Sequence, residues 1–122
     1  MNGTTIVVAL VVLAIFLLLR QMGLAKPAEA RALLGQGARV IDVRTPDEFR
    51  SAHLPMAVNI PLAELQERLP REFPDKATPL LLHCASGARS AAGKRIASGL
   101  GYRTVLNLGS YGRAEALTRP SP

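Results

Sequence analysis

The sequence has a single cysteine and no tryptophan, and its aromatic residues are two tyrosines and three phenylalanines. One cysteine excludes an internal disulfide, and it leaves the redox compartment undetermined. So few aromatics, with no zinc-ligand spacing and no long basic run, exclude the common nucleic-acid modules. No internal repeat or low-complexity tract divides the chain, and 122 residues leave room for one domain. Acidic residues are also scarce: nine Asp and Glu face fifteen Lys and Arg, for a net charge of +6. With nucleic acid set aside, that balance points to small anionic substrates and to a membrane surface.

Charge is missing altogether from residues 6–19, where every residue is Ala, Val, Leu, Ile or Phe until Arg20. As a helix this run rises about 21 Å, against a hydrocarbon core of about 30 Å. Thr4, Thr5 and a snorkelling Arg20 narrow the gap. The reading is an uncleaved transmembrane anchor over residues 4–20, within an anchor-and-linker segment 1–26 that precedes a folded domain 27–122. Neither Lys nor Arg precedes the run, whereas Arg20, Lys26 and Arg31 follow it. That asymmetry puts the amino terminus outside and the domain on the cytoplasmic side. The alternative is a cleaved signal peptide, with Gly23-Leu24-Ala25 as the cleavage site and the domain exported. A buried core helix is a poor third, because the run has no polar face.

Beyond the run, residues 22–26 read as a linker or an edge strand. Residues 27–34 read as a helix opened by Pro27 and stopped by Gly35 and Gly37. A strand over 38–43 carries Asp42 at its carboxyl end. Thr45-Pro46-Asp47-Glu48 is a helix start with a capping box, and the helix is cut short at His53-Leu54-Pro55. A short strand over 57–60 and a helix over 62–69 follow. Pro70, Pro74 and Pro79 make 70–79 a surface loop. A fully buried strand over 80–83 precedes a helix over 90–100, and the last strand covers 102–108. A turn over 109–112 and a final helical turn over 113–117 complete the chain. Strands alternating with helices predict an α/β fold, a small parallel sheet flanked by helices. Ligands of such sheets bind beyond the carboxyl ends of the strands, where Asp42, Arg44 and Cys84 fall.

The most informative stretch is His83-Cys84-Ala85-Ser86-Gly87-Ala88-Arg89-Ser90. A strand that delivers cysteine to a small-residue turn opening a helix favours a thiolate. Turn amides and the positive end of the helix dipole stabilise the charge there and lower the thiol pKa. A lone cysteine elsewhere is an inert small hydrophobe, but this position is not a packing environment. Ala85, Ser86, Gly87 and Ala88 leave their amides unobstructed, and Gly87 suits a positive φ. His83 precedes Cys84 in the strand and faces the other way, as a structural residue.

These residues resemble the active-site loop of rhodanese-like sulfurtransferases, in which Cys carries a persulfide and four residues separate it from a closing Arg. Cys84 and Arg89 have that spacing. The stretch Val40-Ile41-Asp42-Val43-Arg44-Thr45-Pro46-Asp47-Glu48-Phe49 resembles the family's first signature, continued by His53-Leu54-Pro55. Leu100-Gly101-Tyr102-Arg103-Thr104-Val105-Leu106-Asn107-Leu108-Gly109 resembles its approach to the closing turn. The resemblance covers nearly everything after about Pro27. It implies a rhodanese-like domain that moves a sulfane sulfur from thiosulfate or another small anionic donor, through a Cys84 persulfide, to a thiol or cyanide. It implies neither a metal nor a cofactor and names no protein partner. An accessible Cys84 thiolate is the nucleophile, and the amides from Ala85 to Ser90 are the anion cradle.

The resemblance also implies supporting roles. Arg89 holds the loop or binds the sulfonate end of the donor; the plainer reading is a solvent arginine at a helix start. Arg44 and Glu48 form a scaffold ion pair. Asp42 bonds the loop amides or merely caps the turn after its strand, and His53 is structural. Phosphatases that look like this family have five residues between Cys and Arg, so four favour sulfur over phosphate. Three departures, Ala52 and Met56 in place of Gly and a closing turn without Gly-Gly and Trp, bear on stability and partner surfaces. The alternative function is a catalytically idle module that binds a partner or carries sulfur.

Overall fold

The computed structural model of the protein describes residues 1–21 and 23–120. Four strands, β1 (Arg39–Asp42), β2 (Val58–Asn59), β3 (Leu80–His83) and β4 (Val105–Gly109), pair in parallel in the order β2-β1-β3-β4. They alternate with helices α2 (Pro27–Gly35), α3 (Pro46–Ser51), α4 (Leu65–Glu72), α5 (Ala88–Gly99) and α6 (Tyr111–Thr118). Both sheet faces are covered, as a parallel sheet requires.

Alternation along the strands sorts the core into two layers. Ile41, Leu80, Leu82 and Cys84 pack with Leu65 and Leu69 of α4 and Ala97 of α5. Val40, Leu81 and Leu108 pack on the other side with Ala30 of α2 and Ala114 and Leu117 of α6. The α/β architecture is as the sequence predicts. Ahead of α2, the Ala25 amide donates to the Asn107 carbonyl at 2.8 Å, and Leu24 bridges Asn107 in parallel. The segment before α2 therefore behaves as an edge strand.

Several boundaries differ from expectation. α4 runs through Pro70 to Glu72, so the loop begins later than predicted. Buried Leu65 and Leu69 hold that helix, and Pro70 forfeits one amide donor near its end. α5 starts at Ala88 rather than Ser90, β4 starts at Val105, and α6 takes in Tyr111 and Gly112. Ser110 explains the last difference, because its hydroxyl accepts the Arg113 amide as an N-cap.

The amino-terminal run forms α1 (Gly3–Gln21), and its large apolar residues from Ile6 to Leu19 stay between 45% and 62% exposed. Among the described residues, no helix is long and apolar enough to cross a membrane. This corrects the expectation of a transmembrane helix over residues 4–20. The reason is length: the apolar part rises only about 21 Å, and polar residues close both ends of the helix.

Candidate active site

β3 is hydrogen-bonded on both edges and ends at the thiol. The Cys84 amide donates to the Gly109 carbonyl at 3.1 Å, which fixes the start of the loop against the end of β4. Gly87 adopts a φ of 101°, the conformation expected of it, and this turns its amide onto Cys84 Sγ at 2.9 Å. The Ser90 hydroxyl lies 3.5 Å from the same sulfur. Burial pushes the Cys84 thiol up. The Ser90 hydroxyl and the amides of Ser90, Gly87 and Ser86 outweigh that, and the pKa falls below its ordinary value. A thiolate-stabilising cradle is present.

The cradle is closed. Cys84 is fully buried, whereas Ala85, Ser86 and Ala88 around it are exposed. The expected accessible thiolate is corrected in this respect: the loop folds back so that Gly87 and Ser90 sit against the sulfur. In this arrangement Sγ presents no surface to solvent.

The charged residues take different partners from those expected. Arg44 pairs with Asp42, donating from Nε and Nη2 to Asp42 Oδ2 at 3.0 and 2.7 Å, and its own amide donates to Asp42 Oδ1 at 2.9 Å. Asp42 thus caps the turn after β1, and none of its described bonds goes to the loop amides. Glu48 pairs with Arg89 instead, Nη1 to Oε1 at 2.6 Å and Nη2 to Oε2 at 2.9 Å. An Arg44–Glu48 pair is therefore replaced by two pairs, Arg44–Asp42 and Arg89–Glu48. The physical reason is the backbone: Arg44 lies in the bend between β1 and α3, outside the helix in which a four-residue spacing would bring it beside Glu48. Hydrogen bonds from Arg89 and from the Thr45 amide hold the Glu48 carboxyl down to about 2, against a small opposing effect of burial. The capping box between Thr45 and Glu48 forms as predicted.

His83 faces away from Cys84, as expected, into a buried group on the opposite side of the sheet. Its Nε2 lies 3.7 Å from Asp42 Oδ2 and has no hydrogen-bond partner. Burial lowers its pKa, against the attraction of Asp42. The Tyr111 ring packs edge-on to His83 and carries the Arg44 guanidinium on its face. His53 stacks on Phe49, with Nδ1 2.7 Å from the Phe49 carbonyl, a structural arrangement. Among the described residues, no group of His, Cys, Asp and Glu is placed to hold a metal ion.

One residue of the site went unnoticed in the sequence. Asn107 of β4 is fully buried behind the loop, and its Oδ1 accepts from the Ser90 hydroxyl at 2.7 Å and from the Gly109 amide at 2.9 Å. Its Nδ2 donates to the Gly87 carbonyl at 3.2 Å. The available signal was a lone amide in an otherwise apolar buried strand, Val105–Gly109.

Comparison with known proteins agrees with this geometry. Residues 26–112 match the Rhodanese-like domain family. The chain is 41% identical over 69 residues to the thiosulfate sulfurtransferase PspE of Escherichia coli, a match covering 57% of this chain and 66% of that protein. It is 35% identical over 83 residues to the thiosulfate:glutathione sulfurtransferase of Saccharomyces cerevisiae, covering 58% of this chain and 60% of the yeast protein. The chain therefore spans just under two thirds of either relative. The human single-domain sulfurtransferase TSTD1 superimposes with a TM-score of 0.65 at 31% identity, over 81% of this chain and 98% of that structure.

Proposed function

From its membership of the rhodanese-like domain family, to which the chain belongs by the match over residues 26–112, we propose that this protein is a thiosulfate sulfurtransferase acting through Cys84. The Cys84 thiolate attacks the outer sulfur of thiosulfate, forming a sulfur–sulfur bond as the bond to the sulfonate sulfur breaks and sulfite departs with that electron pair. A thiolate or cyanide then takes the outer sulfur of the persulfide and returns Cys84 to a thiolate. The observation that carries this reading is the Gly87 amide at 2.9 Å from Sγ, within a four-residue loop. That donor, with the amides of Ser86 and Ser90, stabilises the anion at both ends of the cycle.

The test is thiocyanate formation from thiosulfate and cyanide by the wild type and by Cys84→Ser. Turnover by the wild type alone is expected. Equal rates in the two proteins, or no turnover by either with several donors, would sink the enzyme. The full burial of Cys84 favours a second reading, a sulfur-carrying or partner-binding module without turnover. An extra sulfur on Cys84 in the mass of the purified protein, combined with no thiocyanate, would select it. Aryl phosphate hydrolysed faster than thiosulfate is consumed would instead select a phosphatase.

Location is a separate proposal. Residues 4–20 attach the chain to a membrane surface without crossing it, and the domain stays on the cytoplasmic side. The support is the exposure of apolar residues along α1 and the basic residues Arg20, Lys26 and Arg31 that follow the run, which suit the anionic cytoplasmic leaflet. Protease added to intact cells, or to spheroplasts where there is an outer membrane, should leave the domain whole. Digestion without lysis, or a mature protein that begins at Lys26, selects export.

A further inference from the structure

The Ser90 hydroxyl has one hydrogen to donate and three acceptors within reach. These are Asn107 Oδ1 at 2.7 Å, the Gly87 carbonyl at 3.1 Å and Cys84 Sγ at 3.5 Å. The Gly87 carbonyl is already served by Asn107 Nδ2 and by the Ala91 amide at 3.0 Å. The Asn107 amide cannot turn over, because the Gly109 N–H requires an oxygen where Oδ1 stands. The hydroxyl hydrogen is thus left to two acceptors, the fixed Asn107 oxygen and the sulfur.

The sulfur changes its charge during the proposed reaction, on which this inference rests. Sγ is negative as the attacking thiolate. It is neutral once the persulfide has formed, when the charge sits on the outer sulfur, and negative again after the acceptor leaves. A hydrogen bond to an ionised acceptor is about twice as strong as one to a neutral acceptor. The preferred acceptor for Ser90 therefore alternates within each turnover.

We propose that Asn107 is a positioning residue for sulfur transfer: it parks the Ser90 hydroxyl hydrogen on its Oδ1 whenever Sγ is neutral and releases it to Sγ whenever Sγ is charged. The swing needs only rotation about the Ser90 Cβ–Oγ bond. Both residues are fully buried, so bulk water does not compete for the hydrogen in the closed loop. Nδ2 has a second duty, since its bond to the Gly87 carbonyl keeps the opposite end of that residue pointing its amide at the sulfur.

The test uses the full chain and titrates the thiolate by its ultraviolet absorbance, which a single cysteine makes unambiguous. Ser90→Ala removes the donor and should raise the titration midpoint, lowering the thiolate fraction at neutral pH about tenfold. Ser90→Thr should restore the midpoint. Asn107→Ala removes the competing acceptor and should lower the midpoint, raising that fraction about threefold, whereas in the Ser90→Ala background no lowering should appear. A shift of equal size with and without the Ser90 hydroxyl, or no shift for Asn107→Ala alone, would overturn the proposal. Where Asn107→Ala does not fold, Asn107→Asp keeps an oxygen for Gly109 and holds the hydroxyl more tightly. It should raise the midpoint, and by more when Ser90 is present; equal rises in both backgrounds would overturn the proposal too. The titration involves no sulfur donor, so its failure is distinguishable from failure of the transfer reaction.

Discussion

Glu48 and Arg89 lie 41 residues apart in sequence and meet through two parallel hydrogen bonds of 2.6 and 2.9 Å. The pair ties the first turn of α3 to the loop that carries the thiol. Its side chains are about one third exposed, 34% for Glu48 and 36% for Arg89. Water therefore screens it, and its stabilisation of the whole fold is about 1 kcal/mol or less. The loop should feel more. Arg89→Ala and Glu48→Ala are each expected to slow thiocyanate formation about tenfold by letting the loop wander from its working geometry. Because each breaks the same contact, the double variant should be no slower than the singles, which steady-state rates of the three proteins will check.

Acid should loosen this tie late. The Glu48 carboxyl is held at about 2, below its ordinary 4.5. A depressed carboxyl contributes stability that is fully present above its unfolded-state value and is lost as pH falls through its folded value. The window is therefore between the ordinary carboxylate range and about pH 2. Urea midpoints measured from pH 6 downward should fall less steeply below pH 4.5 in Glu48→Gln than in the wild type.

The Asp42–Arg44 pair is a different case, because Asp42 is fully buried and the Arg44 side chain is 9% exposed. Asp42→Ala would leave the Arg44 charge without its partner inside the fold, a change that destabilises by about 3–5 kcal/mol. Arg44 and Tyr111 should then lose their contact, so tyrosine near-ultraviolet dichroism ought to weaken along with the denaturation midpoint. A loss below 1 kcal/mol would show that the buried charge had found another partner.

His83 gives a pH response of its own. Burial holds its pKa below the ordinary 6.5, so the unfolded chain binds its proton first as pH falls. Stability associated with neutral His83 is present above that ordinary value and declines below it, towards the folded pKa. Replacing His83 by Gln should flatten the decline between pH 7 and 5, as followed by thermal melting.

Gly87→Ala tests the cradle directly. A φ of 101° is costly for any residue with a Cβ, roughly 1–2 kcal/mol. Relief of that strain would carry the amide away from Sγ. The thiolate absorbance should then appear at a higher pH than in the wild type, with the melting temperature lowered by about 5–10 °C.

What the sequence disclosed was mainly local. The Thr45–Glu48 capping box and the positive φ of Gly87 each depend on a few adjacent residues, and both are present. The Arg44–Glu48 pair that the resemblance implied does not form, because residues four apart come together only inside a helix and α3 begins after Arg44. Asn107 escaped notice because its partners, Ser90 and Gly87, are 17 and 20 residues away and come alongside only when β4 pairs with β3. The enclosure of Cys84 could not be read from composition at all, since small residues permit an open loop and a closed one alike.

The place of β3 between β1 and β4 also makes the lone thiol a clock. Cys84 follows the innermost strand and is fully enclosed, so a thiol-reactive dye records only those moments when its surroundings part. At low denaturant the labelling rate counts excursions of the loop, and its insensitivity to denaturant identifies them as small. Once labelling accelerates steeply with denaturant, the same residue counts separations of the sheet itself. The molecule thus carries a built-in reporter that distinguishes local breathing from global unfolding, without the introduction of any foreign probe site.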